Sequence, residues 1–119
     1  MNDFESLILS SEEKGVVMQA LGGVAAGEIS ISDSKNPLVR RRDRKRAGAI
    51  RRSIFQSGAT PEEPYTVKDT EVDVIKRSLE EVLGARRGLP EERRDTEIEQ
   101  STESLIDKVK PFANQLHQR

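Results

Sequence analysis

The sequence predicts an all-α protein, a small helical bundle or helical hairpin with an exposed arginine-rich helix, completed by oligomerisation. Three observations carry this expectation. Apolar residues recur at three- and four-residue spacing in separate stretches along the chain. Cap and stop residues punctuate those stretches. The one alternating run, Glu28-Ile29-Ser30-Ile31-Ser32, is a single short strand, which cannot be a sheet by itself.

The elements follow in chain order. Ser10 or Ser11 ahead of Glu12 and Glu13 marks a helix start, with carboxylates near the positive end of the helix dipole. Val17, Leu21 and Val24 then share a face with Ala20 and Ala25, which gives a helix over residues 11–25. Gly22, Gly23 and Gly27 weaken its C-terminal half, each costing about 1 kcal/mol against Ala inside a helix. Asn36 before Pro37 reads as an N-cap followed by proline at the first helical position, and the helix runs to Gln56 with Gly58 as its stop. SGATPEEPY, with prolines at 61 and 64, reads as a linker or turn.

Thr66 with Asp69 three residues on resembles a capping box, and Val72, Ile75, Leu79 and Val82 follow at helical spacing. Arg86 and Arg87 suit a last turn ahead of Gly88. Leu89-Pro90-Glu91-Glu92 opens a further helix with a seam at Ile98, Thr102, Leu105, Val109, Phe112 and Leu116. Thr102 interrupts that seam, and Pro111 is expected to kink or end the helix near Lys110. The two helices, joined by a Gly-Leu-Pro turn, form an antiparallel hairpin or a pair of oligomerising arms. Val72, Ile75, Leu79, Val82, Ile98, Leu105 and Val109 are their core or oligomer seam.

Composition explains why a second copy is expected. Hydrophobic residues make up 34% of the 119 positions, with three Phe, one Tyr and no Trp, so the chain is one domain by size with thin seams between its helices. Without cysteine there are no disulfides, thiolate ligands or cysteine nucleophiles, which suits a cytoplasmic or virion-internal protein, or a nuclear one in a eukaryote. The N-terminus places acidic residues ahead of a very short apolar run, the reverse of a signal peptide, and no apolar run approaches a membrane span.

Charge divides the chain into segments. Residues 1–34 form an acidic N-terminal segment with a short helix and carry −5, and residues 35–58 form the arginine-rich helix and carry +8. Residues 59–66 are a linker and 67–119 the helical hairpin with a C-terminal tail; together they carry −4 and fourteen acidic residues. A basic block between acidic flanks points to a partner or to neutralisation within the molecule.

On a helical wheel, Val39, Ala47, Ile50 and Ile54 fall within an arc of roughly 80°. Arg40, Arg41, Arg42, Arg44, Lys45, Arg51 and Arg52 take nearly all the remainder; Arg46 lies at the edge of the apolar arc, Asp43 inside it, and Phe55 away from it. The helix therefore docks by one stripe and presents cations elsewhere. Of its nine positive residues from 35 to 52, seven are Arg, whose planar fork donates two parallel hydrogen bonds to phosphate. Arg40, Arg41, Arg42, Arg44, Lys45, Arg46, Arg51 and Arg52 are the candidate nucleic-acid contacts.

The string Arg40-Arg41-Arg42-Asp43-Arg44-Lys45-Arg46-Ala47 resembles the arginine-rich RNA-binding motif of lambdoid phage antitermination N proteins, with its triple arginine, acidic residue, further basic residues and alanine. It covers eight residues and is central here, whereas in those proteins the motif lies near the N-terminus of a largely disordered chain. The resemblance implies that such a string can serve as an RNA-binding helix.

The resulting expectation is a non-enzymatic protein that binds RNA or DNA, a regulatory or packaging accessory of viral or bacterial origin, self-associating and using no cofactor. The alternative is an adaptor or structural subunit whose basic helix docks on an acidic protein surface. A third arrangement pairs the EISIS strand across a dimer, as in ribbon-helix-helix DNA binders, although Glu28, Ser30 and Ser32 are poor base readers. Little points to an enzyme. His117 is the only histidine and lies near the end, and Glu80-Glu81 and Glu91-Glu92 diverge by about 100° on a helix. No metal-ligand spacing is present. Ser53 behind two arginines is a formal kinase site, and Phe55 and Tyr65 could stack on bases or serve as anchors.

Overall fold

The computed structural model describes residues 7–31, 35–56 and 63–117. The first helix, α1 (Ser11–Ala25), begins on a reciprocal cap: the Glu13 amide donates to Ser10 Oγ and the Ser10 amide donates to Glu13 Oε1. It ends in a Schellman turn, which places Gly27 beyond the helix and not in its C-terminal half as expected, while Gly22 and Gly23 lie in its last turn. The Glu28 amide donates to the Gly23 carbonyl and the Gly27 amide to that of Val24, with Gly27 at φ +80°, a conformation that suits glycine. Gly23 leaves room for the returning chain. Ile29 folds back over it so closely that a Cβ would lie 2.8 Å from Ile29 Cδ1. That return path bends the chain at 28, 29 and 31, so the strand expected there is absent at 28–31; Ser32 lies outside the described residues.

The second helix, α2 (Pro37–Gln56), matches the expected bounds. Asn36 caps it, its Oδ1 accepting from the Leu38 amide at 3.0 Å, and the stop expected at Gly58 lies outside the described residues. Ala47, Ile50 and Ile54 are buried against α1, Val39 is half-buried, and Ala25 lies directly over Gly48, which lets the two helices approach closely.

A two-stranded antiparallel ribbon joins β1 (Ile8–Leu9) to β2 (Tyr65–Thr66), with Ile8 opposite Thr66 and Leu9 opposite Tyr65. The Val67 amide extends it by donating to the Leu7 carbonyl at 2.8 Å. Alternation buries Leu7, Leu9, Tyr65 and Val67 and exposes Ile8 and Thr66. Part of the expected linker is therefore core, and its residues 59–62 lie outside the described residues. Lys14 is buried beside it and donates to the Glu63 carbonyl.

The ribbon also corrects the start of α3 (Asp69–Arg87). Thr66 is held in β2 and cannot cap; Lys68 is the N-cap, and its amide donates to Glu71 Oε1 at 2.9 Å. The same oxygen accepts from the Tyr65 hydroxyl at 2.7 Å, so Glu71, though buried, is satisfied. Burial and the bond to this carboxylate raise the Tyr65 hydroxyl above its ordinary pKa.

The last helix, α4 (Thr96–His117), starts later than the Pro90-Glu91-Glu92 signal implies. Those residues make one 3-10 turn, Glu91–Arg93, broken at Arg94, whose ψ of 134° is extended. Asp95 then caps α4, accepting from the Glu97 and Ile98 amides. Arg94 grips the Glu99 carboxylate at 2.6 and 3.0 Å, and Arg87 of α3 reaches Glu103 at 3.1 Å. The Arg94 hydrogen bond, opposed by burial and aided by charge, holds the Glu99 carboxyl below its ordinary range. At Pro111 the helix continues to His117 instead of ending. Pro111 and Asp107 are both exposed, so the helical hydrogen bond that proline removes lies on the solvent side of α4.

Two helix pairs, α1 with α2 and α3 with α4, meet through α1 and α3. Val72, Ile75, Leu79, Leu105 and Val109 are buried and Val82 and Ile98 half-buried, so the expected core or oligomer seam packs within one chain. Thr102, which interrupts that seam, is buried with its hydroxyl donating to the Ile98 carbonyl at 2.7 Å. The Leu116 and His117 side chains lie outside those described. Lys108 of α4 ties the ribbon to α1, donating to the Ile8 carbonyl and to Glu13, each at 2.7 Å. Burial of Glu13 opposes ionisation, but Lys108 and Ser10 outweigh it and hold its carboxyl below the ordinary range. No helix among the described residues is long and apolar enough to cross a membrane.

Candidate nucleic-acid interface

The docking stripe of α2 decides which of its cations face outward. With Ala47, Ile50 and Ile54 turned into the core, the opposite side of the wheel carries Arg41, Arg42, Lys45 and Arg52, all exposed. At 1.5 Å of rise per residue, Arg41 and Arg52 stand about 16 Å apart along the axis. These four form the crest of the helix.

The remaining candidate residues occupy the flanks. Arg46 reaches across to α3 and donates to the Thr70 carbonyl at 3.3 Å. Arg51 lies along α1, donating from Nε to the Met18 carbonyl at 3.3 Å over Gly22. Arg44 lies over Gly27, where a Cβ would come within 3.3 Å of its guanidinium. Arg40 stands one turn earlier on the same side. Arg46 and Arg51 thus join α2 to its neighbours, a role that charge counting does not reveal.

Among the described residues, no ion pair joins Arg41, Arg42, Arg44, Lys45, Arg46, Arg51 or Arg52 to a carboxylate. The acidic segment pairs with its own cations instead: Asp73 with Arg77, Glu80 with Lys76, and Glu99 and Glu103 with Arg94 and Arg87. Those pairs are local because residues four apart on one helix, or facing across the α3–α4 turn, meet without crossing the core.

Two large apolar side chains break the basic surface, Leu38 at 72% and Phe55 at 75% exposure, near opposite ends of α2. Tyr65, by contrast, is buried in the ribbon and serves as an anchor. Ser53 is half-buried in a shallow groove with Arg46 and Lys68.

A recess of about 130 Å³ lies between the loop after α1 and the N-terminal half of α2. Val24, Ile29 and Ile31 supply its apolar wall, and Arg40, Asp43 and Arg44 its polar one. Sequence reading missed it because residues 28–31 were read as a strand. The signal that could have found it is Asp43, an acid inside the docking arc of a basic helix.

Comparison with protein-family models, with curated proteins and with solved structures gave no match.

Proposed function

We propose that the protein binds nucleic acid through the crest of α2, with Arg41, Arg42, Lys45 and Arg52 contacting phosphate oxygens and Arg40, Arg44, Arg46 and Arg51 flanking them. The contact is ionic, sequence-tolerant and non-enzymatic, as suits an accessory in regulation or packaging. One observation carries the reading: the crest lies opposite the docking stripe, and no described carboxylate pairs with its cations. Leaving such charge unpaired in the free chain favours a polyanionic partner, and the guanidinium fork favours phosphate over a carboxylate-bearing protein surface. Self-association is not required for it, since the α3–α4 seam is already packed within one chain.

Fluorescence anisotropy with a labelled RNA hairpin and a labelled DNA duplex tests the reading. The Arg41→Glu/Lys45→Glu/Arg52→Glu variant, altered only at exposed positions, should melt like the parent and lose affinity for every sequence alike. Affinity no better than about millimolar at low salt, weaker than ordinary non-specific binding, would overturn it, as would a triple variant that binds unchanged.

A further inference from the structure

We propose that the recess beside α2 takes a single unpaired guanine of an RNA strand, read by the Asp43 carboxylate; this rests on the phosphate-binding reading of α2. The recess is too small for a cofactor. Its volume of about 130 Å³ falls below the roughly 300 Å³ at which small-molecule sites begin, which leaves room for one ring system. Val24, Ile29 and Ile31 offer an apolar wall for the flat face of a base, while Arg44 and Arg40 share the polar wall, where the strand's phosphates would pass.

Asp43 supplies the selectivity. It is half-buried on the recess wall and has neither an ion pair nor a hydrogen bond to a described residue. An ionised carboxylate only accepts. Guanine alone presents two adjacent donors, N1–H and N2–H, on its Watson–Crick edge; adenine and cytosine set an acceptor beside their amino group, and uracil flanks its N–H with two carbonyls. That edge is occupied in a duplex, so the base must come from a loop or bulge, where RNA is usually read in sequence-specific fashion. An acid amid nine cations weakens phosphate binding, and reading a base gives it a purpose that charge alone does not.

The test is anisotropy on a fully paired RNA duplex and on the same duplex carrying one bulged G, A, C or U, with the parent chain and Asp43→Asn. The parent should bind the bulged-G duplex about tenfold tighter than the paired one and tighter than the other bulges. Asp43→Asn, which keeps the shape and removes a negative charge, should bind all five at least as well as the parent binds the paired duplex, with the guanine preference gone. Equal binding of all five RNAs by the parent overturns the recess proposal and leaves the phosphate reading standing. A guanine preference that survives in Asp43→Asn overturns the role of the carboxylate. Failure to bind any of the RNAs overturns both. A deoxy version of the bulged duplex separates the sugar: a guanine preference confined to RNA supports the assignment, and one shown equally on DNA overturns its restriction to RNA.

Discussion

Salt dependence gives the most direct measure of the crest. If Arg41, Arg42, Lys45 and Arg52 each neutralise one phosphate, four counterions are released on duplex DNA, and the log–log slope of affinity against salt should be about −3.6. Between about 50 and 200 mM salt that amounts to a loss of about 150-fold. Removing one crest charge by Arg52→Ala should flatten the slope by about 0.9. Arg51→Ala offers a control on the same turn. Its Nε bonds the Met18 carbonyl, so its loss should cost about 1 kcal/mol of stability and leave the slope nearly unaltered. Anisotropy titrations at several salt concentrations, with urea melts alongside, measure both quantities. A parental slope shallower than about −1, or an Arg51→Ala effect as large as that of Arg52→Ala, would show that the outward face of α2 is not the contact surface.

Further outcomes follow from the fold. Leu79→Asp and Leu105→Asp each place a carboxylate in the α3–α4 core, so circular dichroism should show unfolding; light scattering that instead finds folded monomers released from an oligomeric parent would place the seam between copies. Ser10→Ala removes the cap of α1 and should lower stability by about 1 kcal/mol in urea, and an unchanged midpoint would count against the reciprocal cap. Glu99 and Glu13 have depressed folded pKa values, so their stabilisation is complete above the ordinary carboxylate pKa of about 4.3 and is lost as pH falls through the folded values. Stability should therefore fall on acidification below about pH 4.3, and less steeply in Glu99→Gln; a flat profile from about pH 5 to 3 would contradict both pairings.

Much of the secondary structure was legible because its signals are local. Ser10 with Glu13, Asn36 with Pro37, and the 3-4-3 spacing of Val72, Ile75, Leu79 and Val82 act within a turn or two of the chain, and α1 and α2 match their expected bounds. The errors arose where a distant contact outbid a local one. Thr66 had the spacing of a capping box, but pairing with Ile8, far away in sequence, held it in a strand. Pro90-Glu91-Glu92 read as a helix start, but the grip of Arg94 on Glu99 and the cap at Asp95 set the start later. Ile29 and Ile31 alternate like a strand, yet Gly27 at positive φ folds them back over α1 as the wall of the recess.

The sequence by itself determined that one helix would carry the positive charge and that its apolar stripe would be narrow, since both depend only on residue type and a fixed angular step. Tertiary structure decided which cations remain available. Docking by Ala47, Ile50 and Ile54 sends Arg41, Arg42, Lys45 and Arg52 outward, turns Arg46 and Arg51 onto backbone carbonyls, and sets Asp43 on the wall of a recess. A wheel ranks directions around one axis, whereas the neighbours waiting in each direction come from segments tens of residues away, and only packing brings them there.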